Sequence, residues 1–320
     1  MRLGICQVPY QHHGWLAPQP TLASWQAARK IGISDVRLQF NLSLVSPTPG
    51  TWDTSLFEKW ARPANDSRIR INANIVAGDN PPPHHTAEFR QEAARRFAAE
   101  LGDLIDSYGL GNEPGLAPWI TDDLSREGGT VDRIRDTYFP EFIIPVVSGI
   151  RAADPSAVIT GFEADGPEIQ LRCMTVAKEL GIQIDVETVH PYGDVGGGDY
   201  ATMAKFDEVY KRDVSRPRLV GEIDHQQLPG AGPAATDDQI GRLTDFARMI
   251  AATYSDCRAI YFGTPEYFFT RVPAGDLLPG ITWSTWTIGE PEVSEAGRAL
   301  FNVFMAINSR RRAADKTLTG

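Results

Sequence analysis

The feature that most constrains this chain is a strand-then-helix alternation that occurs eight times in succession. Short runs rich in Val and Ile are each followed by a longer segment with helical periodicity. The strands are predicted near residues 2–8, 35–40, 69–76, 107–112, 157–162, 184–190, 217–222 and 258–263. The helices are predicted near residues 19–31, 53–62, 86–105, 131–153, 166–181, 200–212, 236–254 and 292–308. Eight such units predict a parallel sheet with helices packed outside it.

The character of the strands narrows the fold further. They are almost continuously apolar, as expected for strands that are buried on both faces of a parallel sheet. Eight units fit a closed (β/α)8 barrel better than an open doubly wound sheet, which is the alternative. A length of 320 residues suits such a barrel, and no linker or low-complexity segment divides the chain. We therefore predict an α/β protein with one (β/α)8 barrel domain over residues 1–320.

Charge and hydropathy argue against several classes of partner. The formal net charge of −10 disfavours nucleic acid, because a polyanion would be repelled. No run of about 18 apolar residues is present, so no membrane span is expected. The sequence opens on a strand-like run, residues 2–8, without a signal-peptide core. This leaves two compartments open: the cytoplasm, or secretion after removal of a leader.

Neither the cysteines nor the histidines form a metal-binding pattern. The three cysteines are far apart and include no CxxC pair, which argues against a zinc module or a disulfide framework. Cys6 and Cys257 lie in apolar strands, as expected of buried free thiols. The pairs His12-His13 and His84-His85 lack HxH or HExxH spacing, and neighbours on an extended chain point to opposite sides. We expect solvated loop histidines, no metal and no cofactor.

Two of the predicted strands end on a glutamate. The fourth closes in Asn112-Glu113-Pro114, and the seventh closes in Val220-Gly221-Glu222. Active sites of (β/α)8 barrels form at the C-terminal ends of the strands, so these two strands can direct carboxylates across the mouth of the barrel. A retaining glycosidase needs two carboxyl groups about 5–5.5 Å apart. The alternative interpretation is that each Glu is merely a strand-end residue in a loop.

This order of strands and motifs resembles glycoside hydrolase clan A, a group of retaining (β/α)8 enzymes, over nearly the whole chain. The resemblance implies that Glu113 is the general acid/base and Glu222 the nucleophile. It also implies that Asn112 holds the sugar hydroxyl beside the anomeric carbon. The implied activity is hydrolysis of β-glycosidic bonds in a poly- or oligosaccharide by double displacement, with a carbohydrate as the partner.

Two further motifs are similar to elements of the clan. His190-Pro191-Tyr192 resembles its His-x-Tyr element, in which the Tyr hydrogen-bonds the nucleophile; His190 would then help to set the acid/base end of the site. Arg37 is similar to an Arg beside the nucleophile. Its charge would keep Glu222 ionised, and the charge of Glu222 would in turn keep Glu113 protonated. The alternative for Arg37 is a structural salt bridge inside the barrel.

The aromatic residues depart from the clan's pattern. The eighth strand lacks the Trp that commonly lies under the sugar ring, and Trp283 and Trp286 in the following loop are the candidates to replace it. Several aromatic residues fall in predicted βα loops, where they either stack on sugar faces or pack as ordinary loop residues: Trp15, Trp52, Trp119, Tyr267, Phe269, Trp283 and Trp286. As a group they favour an open cleft.

Other functions are compatible with the same motifs. An exo-acting β-glycosidase or a transglycosylase would use the same two glutamates, since they share the covalent intermediate. An alternative of another class is a carbohydrate-binding barrel that has lost catalysis. A metal-dependent hydrolase on the same barrel is disfavoured by the histidine spacing.

Overall fold

Eight parallel strands close into a barrel in the order in which they occur along the chain. The computed structural model describes residues 1–7, 22–30, 32–78, 81–112, 114, 133–164, 166–191, 208, 216–223, 237–262 and 295–318. The strands are β1 Arg2–Gln7, β2 Ile33–Asn41, β3 Arg70–Val76, β4 Ser107–Leu110, β5 Ile159–Ala164, β6 Val186–Val189, β7 Arg218–Ile223 and β8 Cys257–Phe262. Because β8 pairs with β1, no edge is left in the ring. The predicted closed barrel is confirmed, and the open sheet is excluded.

Helices follow the strands on the outside of the barrel. The α-helices in the described ranges are α1 Leu22–Lys30, α2 Leu42–Val45, α3 Ser55–Asp66, α4 Ala87–Leu101, α5 Ile144–Ala153, α6 Pro167–Glu179, α7 Asp237–Thr253 and α8 Glu295–Leu318. A π-helix, Ile134–Ile143, leads directly into α5 and contains Pro140. Proline has no N–H to donate, so the wider turn suits it. Of the helix predicted near 200–212, the structure describes residue 208 alone, and that residue is helical.

Several predicted boundaries differ from the observed ones by two residues or more, and β5 and the last helix are the examples that matter most. The fifth strand begins and ends two residues later than predicted, at Ile159–Ala164. The last helix continues to Leu318 instead of ending near residue 308. The displacement of β5 matters for the site, because it brings Glu163 into a strand instead of the turn that follows it.

The main apolar core lies between the barrel and its helices. Phe40 of β2 stacks on Phe97 of α4 with ring centroids 3.7 Å apart, and Phe57 of α3 meets both rings edge-on. All three side chains are fully buried. This packing fixes β2 against two helices, and β2 carries Arg37 on its other face.

The interior of the barrel is largely polar. Buried polar side chains from β2, β3, β5 and β6 occupy it, and they include Arg37, Asn72, Asn74, Thr160, Glu163 and Thr188. Asn72 donates to Thr160 Oγ1 across the barrel at 3.0 Å. A small apolar cluster is also present: Cys6, Val186, Leu219, Ala259 and Tyr261. Charges buried this deeply need partners, and their pairing defines the candidate site.

Candidate active site

Arg37 contacts three other side chains in the part of the barrel that the structure describes. Its side chain leaves the middle of β2 and is buried in the barrel. Nη2 donates to Asn112 Oδ1 at 2.5 Å, Nε lies 3.0 Å from Glu163 Oε2, and Nη1 approaches Cys6 Sγ at 3.8 Å. The salt bridge inside the barrel that was the alternative for Arg37 therefore exists. The same guanidinium also contacts a predicted site residue, so the two interpretations do not exclude one another.

Glu163 of β5 is the residue that the sequence prediction missed. Its carboxylate is fully buried, and one oxygen, Oε2, meets both Arg37 Nε at 3.0 Å and His190 Nε2 at 2.7 Å. The sequence carried a usable signal, because a lone acidic residue in the apolar run Ile159–Ala164 has to be paired. The prediction missed this signal because the fifth strand was predicted to end at residue 162, one position before Glu163.

His190 follows β6 and is fully buried. Its backbone N–H donates to Ala164 O at 3.0 Å, which ties the end of β6 to the end of β5. An ionised carboxylate only accepts hydrogen bonds, so Nε2 carries the proton in the contact with Glu163. His190 Nε2 is thus the donor in this contact, whether the ring is neutral or protonated.

Asn112 stands at the end of β4, where Gly111 turns the chain. Gly111 has φ of 76°, a left-handed conformation that favours glycine, and its N–H donates to Ile75 O. A side chain at this position would also collide with the hydroxyl of Tyr138. Because Arg37 can only donate, the Asn112 amide must present Oδ1 to it. The Nδ2 group of the half-buried Asn112 is therefore directed elsewhere.

Two glycines make room for the buried charges. A Cβ at Gly221 of β7 would lie 2.5 Å from Glu163 Oε2 and 3.1 Å from His190 Nε2. A Cβ at Gly109 of β4 would lie 3.0–3.2 Å from three oxygens, including Glu163 Oε1. Glu163 therefore lies between β4, which precedes Glu113 in sequence, and β7, which contains Glu222.

The groups around Glu163 compensate for the free-energy cost of burying its carboxylate. Burial raises the pKa of Glu163, but the charge of Arg37 and the hydrogen bond from His190 together outweigh it, so the pKa lies below the ordinary value of 4.5. Burial raises the pKa of Tyr138 and of Tyr261 well above 10. Both phenols are therefore neutral, and the carboxylate of Glu163 is the negative partner of Arg37.

The remaining predicted site residues fall wholly or partly outside the described residues. Glu113, Tyr192, Trp283 and Trp286 lie outside them. The backbone of Glu222 belongs to β7, while its side chain is not among those described. The structure thus brings Arg37, Asn112 and His190 together, and the roles of the two glutamates stay predictions.

The other histidine, cysteine and aromatic expectations have mixed outcomes. His84 and His85 both direct Nε2 to Ser46 O, at 3.1 and 2.8 Å, and His85 is buried. The expectation of solvated histidines that point apart is therefore wrong for this pair. His12-His13 lies outside the described residues, whereas Cys6 and Cys257 are buried and free as predicted.

Of the aromatic loop residues, only Trp52 lies within the described ranges. Its ring packs edge-on against Phe40 and beneath the guanidinium of Arg96, and its indole N–H donates to Glu100 Oε2 at 2.8 Å. Ordinary packing accounts for this residue. Among the described residues, no cluster of three His, Cys, Asp or Glu is placed to hold a metal. No described helix is long and apolar enough for a membrane crossing.

Comparison with known proteins shows which solved structures have a similar fold. No family model matches the chain, and no curated protein matches it by sequence. A glycoside hydrolase family 5 enzyme from Prevotella bryantii B14 superposes with a TM-score of 0.68 at 13% identity, over 95% of each chain. A glucosidase from Croceicoccus marinus gives 0.63 at 15% identity, over 95% of this chain and 67% of its own.

A third similar structure is a family 39 β-xylosidase from Caulobacter crescentus, with a TM-score of 0.57 at 15% identity. The alignment covers 81% of this chain but only 61% of the β-xylosidase, so this chain spans less than two thirds of it. Families 5 and 39 both belong to clan A. The chain therefore has the barrel fold of clan A glycoside hydrolases, as the sequence resemblance predicted.

Proposed function

We propose that this protein is a retaining glycoside hydrolase that cleaves β-glycosidic bonds in a poly- or oligosaccharide. The observation that carries the proposal is the convergence of Arg37, Asn112 and His190 from three different parts of the barrel. Sequence resemblance alone had selected all three. They lie close to the residues that immediately precede Glu113 and Glu222 in sequence. In clan A the two catalytic glutamates stand at the ends of the corresponding strands. The similar solved structures, which include a glucosidase and a β-xylosidase, support the same class of reaction.

In the proposed mechanism, the carboxylate of Glu222 attacks the anomeric carbon while Glu113 protonates the departing glycosidic oxygen. Glu113 then takes a proton from water, whose oxygen attacks the same carbon and releases Glu222. Two inversions give a product of retained configuration. Arg37 holds Oδ1 of Asn112. In the proposed mechanism the Nδ2 group of Asn112 donates to the hydroxyl next to the anomeric carbon.

The test is product release from a panel of β-glucans, xylans, mannans, galactans and aryl β-glycosides. The wild-type protein is compared with Glu222→Ala and with Glu179→Ala, a matched change at an exposed glutamate on α6. We expect turnover by the wild type and by Glu179→Ala, and none by Glu222→Ala. Added azide should restore turnover of an aryl glycoside by Glu222→Ala, with a product of inverted configuration.

Two outcomes would contradict the proposal. Binding of a glycan without turnover would identify a carbohydrate-binding barrel. Full activity of Glu222→Ala would show that Glu222 is not the nucleophile. The size distribution of the products separates endo-action from exo-action. Transfer to an added sugar acceptor identifies a transglycosylase.

A further inference from the structure

Glu163 is a buried charge that the proposed reaction does not use. Its carboxylate has no exposed surface, so it does not reach a substrate in the cleft. It nevertheless contacts two of the three predicted site residues that the structure describes, at 2.7 and 3.0 Å. Glu163 can therefore affect the site through its contacts with these two residues.

We propose that Glu163 is a positioning residue, which holds Arg37 and His190 and, through Arg37, fixes the amide of Asn112. The inference rests on the proposed function and deepens it, because it states how the hydroxyl next to the anomeric carbon is recognised. The guanidinium is planar, so a contact at Nε determines the direction of Nη2. Nε lies 3.0 Å from Glu163 Oε2 and Nη2 donates to Asn112 Oδ1, which connects the three residues in one chain of contacts.

A second buried pair in the same barrel shows what a merely structural charge pair looks like. Asp35 of β2 is buried and accepts from Arg2 Nε at 2.8 Å, but Arg2 is one-third exposed. In the described contacts Asp35 meets Arg2 and Ser34, and neither residue is part of the candidate site. Asp35→Asn is therefore a matched control: it removes a buried strand carboxylate paired with an arginine, but away from Asn112.

The charge of Glu163 also bears on the pH dependence of the reaction. Arg37 from β2 and His190 from the end of β6 are in contact with Glu163. Tyr138 of the π-helix and Tyr261 of β8 lie near Glu163, and Cys6 of β1 lies 3.8 Å from Nη1 of Arg37. The neighbouring residues Asn72 and Asn74 of β3 carry no charge, and Gly109 and Gly221 contribute no side chain from β4 and β7. Arg37 is therefore the cation that Glu163 balances.

Glu163→Gln keeps the shape of the side chain and removes its charge. With the negative charge of Glu163 gone, the positive charge of Arg37 favours ionised carboxylates in the site more strongly, which moves both limbs of the pH–activity profile to lower pH. We expect a shift of about half to one pH unit. A neutral amide oxygen holds the guanidinium of Arg37 less firmly than a carboxylate does, so the Asn112 amide becomes less well fixed. The kcat/KM ratio between a substrate and its 2-deoxy analogue should therefore fall roughly tenfold.

The experiment measures both quantities for the wild type, Glu163→Gln, Glu163→Asp and Asp35→Asn, on the best aryl glycoside of the panel and its 2-deoxy counterpart. Glu163→Asp keeps the charge on a shorter side chain. It should return the pH profile toward that of the wild type while leaving part of the loss in substrate discrimination. It also provides the test if Glu163→Gln does not fold. Asp35→Asn should change neither quantity.

A folded Glu163→Gln variant with the wild-type profile and the wild-type discrimination overturns the inference. Equal changes in Asp35→Asn overturn it as well, because they would show a general effect of a buried charge. Failure of the proposed function gives a different result: the wild type itself turns over no glycoside. In that case a crystal structure of Glu163→Gln still tests the positioning step, because the contact between Arg37 and Asn112 should be lost.

Discussion

Replacing Arg37 with methionine should destabilise the protein strongly. Methionine retains an unbranched apolar chain, but Glu163 keeps its charge inside the barrel without the guanidinium. The side chains of this pair are 4% and 1% exposed, so solvent screens them little. Breaking a buried ion pair by removing one partner costs about 3–5 kcal/mol. Since a native domain is stable by about 5–15 kcal/mol, we expect Arg37→Met to fold with a much reduced free energy of unfolding.

The size of this loss should depend on pH. The pKa of Glu163 in the wild type is lowered, since Arg37 and His190 outweigh the effect of burial. A lowered pKa adds stability that is present above the ordinary value of 4.5 and is lost as the pH falls through the folded-state pKa. Without Arg37, burial prevails and raises the pKa of Glu163, so the variant loses stability as the pH rises above 4.5. The difference between the two proteins should therefore be largest near neutral pH and smaller near pH 4.5.

The assay is urea unfolding followed by circular dichroism between about pH 4.5 and pH 8. The double variant Arg37→Met/Glu163→Gln should recover part of the loss, because neither charge is then left alone. Arg96→Met removes an arginine from an exposed ion pair with Glu100 on α4 and should change stability little. A loss that is the same at every pH, with no recovery in the double variant, would refute the electrostatic explanation.

Two further predictions concern the acid/base and the packing of the barrel. Glu113→Ala should reduce turnover of natural glycosides far more than turnover of aryl glycosides with good leaving groups. Equal losses of kcat/KM on both kinds of substrate would show that Glu113 is not the general acid. Gly221→Ala should lower the free energy of unfolding in urea by more than about 2 kcal/mol, because its Cβ meets Thr188 and Glu163. Gly241→Ala on α7, where the added Cβ meets nothing, should be neutral or stabilising. A Gly221→Ala variant as stable as Gly241→Ala would contradict the packing.

The barrel could be predicted from the sequence because its signal is repeated eight times. An apolar run followed by a helical segment needs no knowledge of distant contacts, and errors of one or two residues at the ends leave the topology unchanged. Arg37, Asn112 and His190 could be selected by motif because each stands at or near a strand end. Their partners were harder to predict, since the Arg37–Glu163 ion pair joins residues 126 positions apart.

Glu163 shows why strand ends limit the prediction of sites. A shift of two residues in β5 moves this carboxylate from a solvated turn to the centre of the barrel. His84 and His85 show another limit. The rule that neighbours point apart holds for an extended strand, but this pair lies just before α4, where both rings reach the same carbonyl oxygen. Local backbone geometry decides such cases, and it depends on the packing of the whole loop.

Cutting the barrel between β4 and β5 would separate the two residues of the ion pair, Arg37 and Glu163. Arg37 lies on β2, in the half formed by β1–β4, whereas Glu163 and His190 belong to the half formed by β5–β8. A half-barrel fragment would therefore hold a buried charge whose partner is on the other fragment. The two halves should not fold independently, but should fold together when mixed. The central charges thus favour closure of the ring over the folding of either half alone.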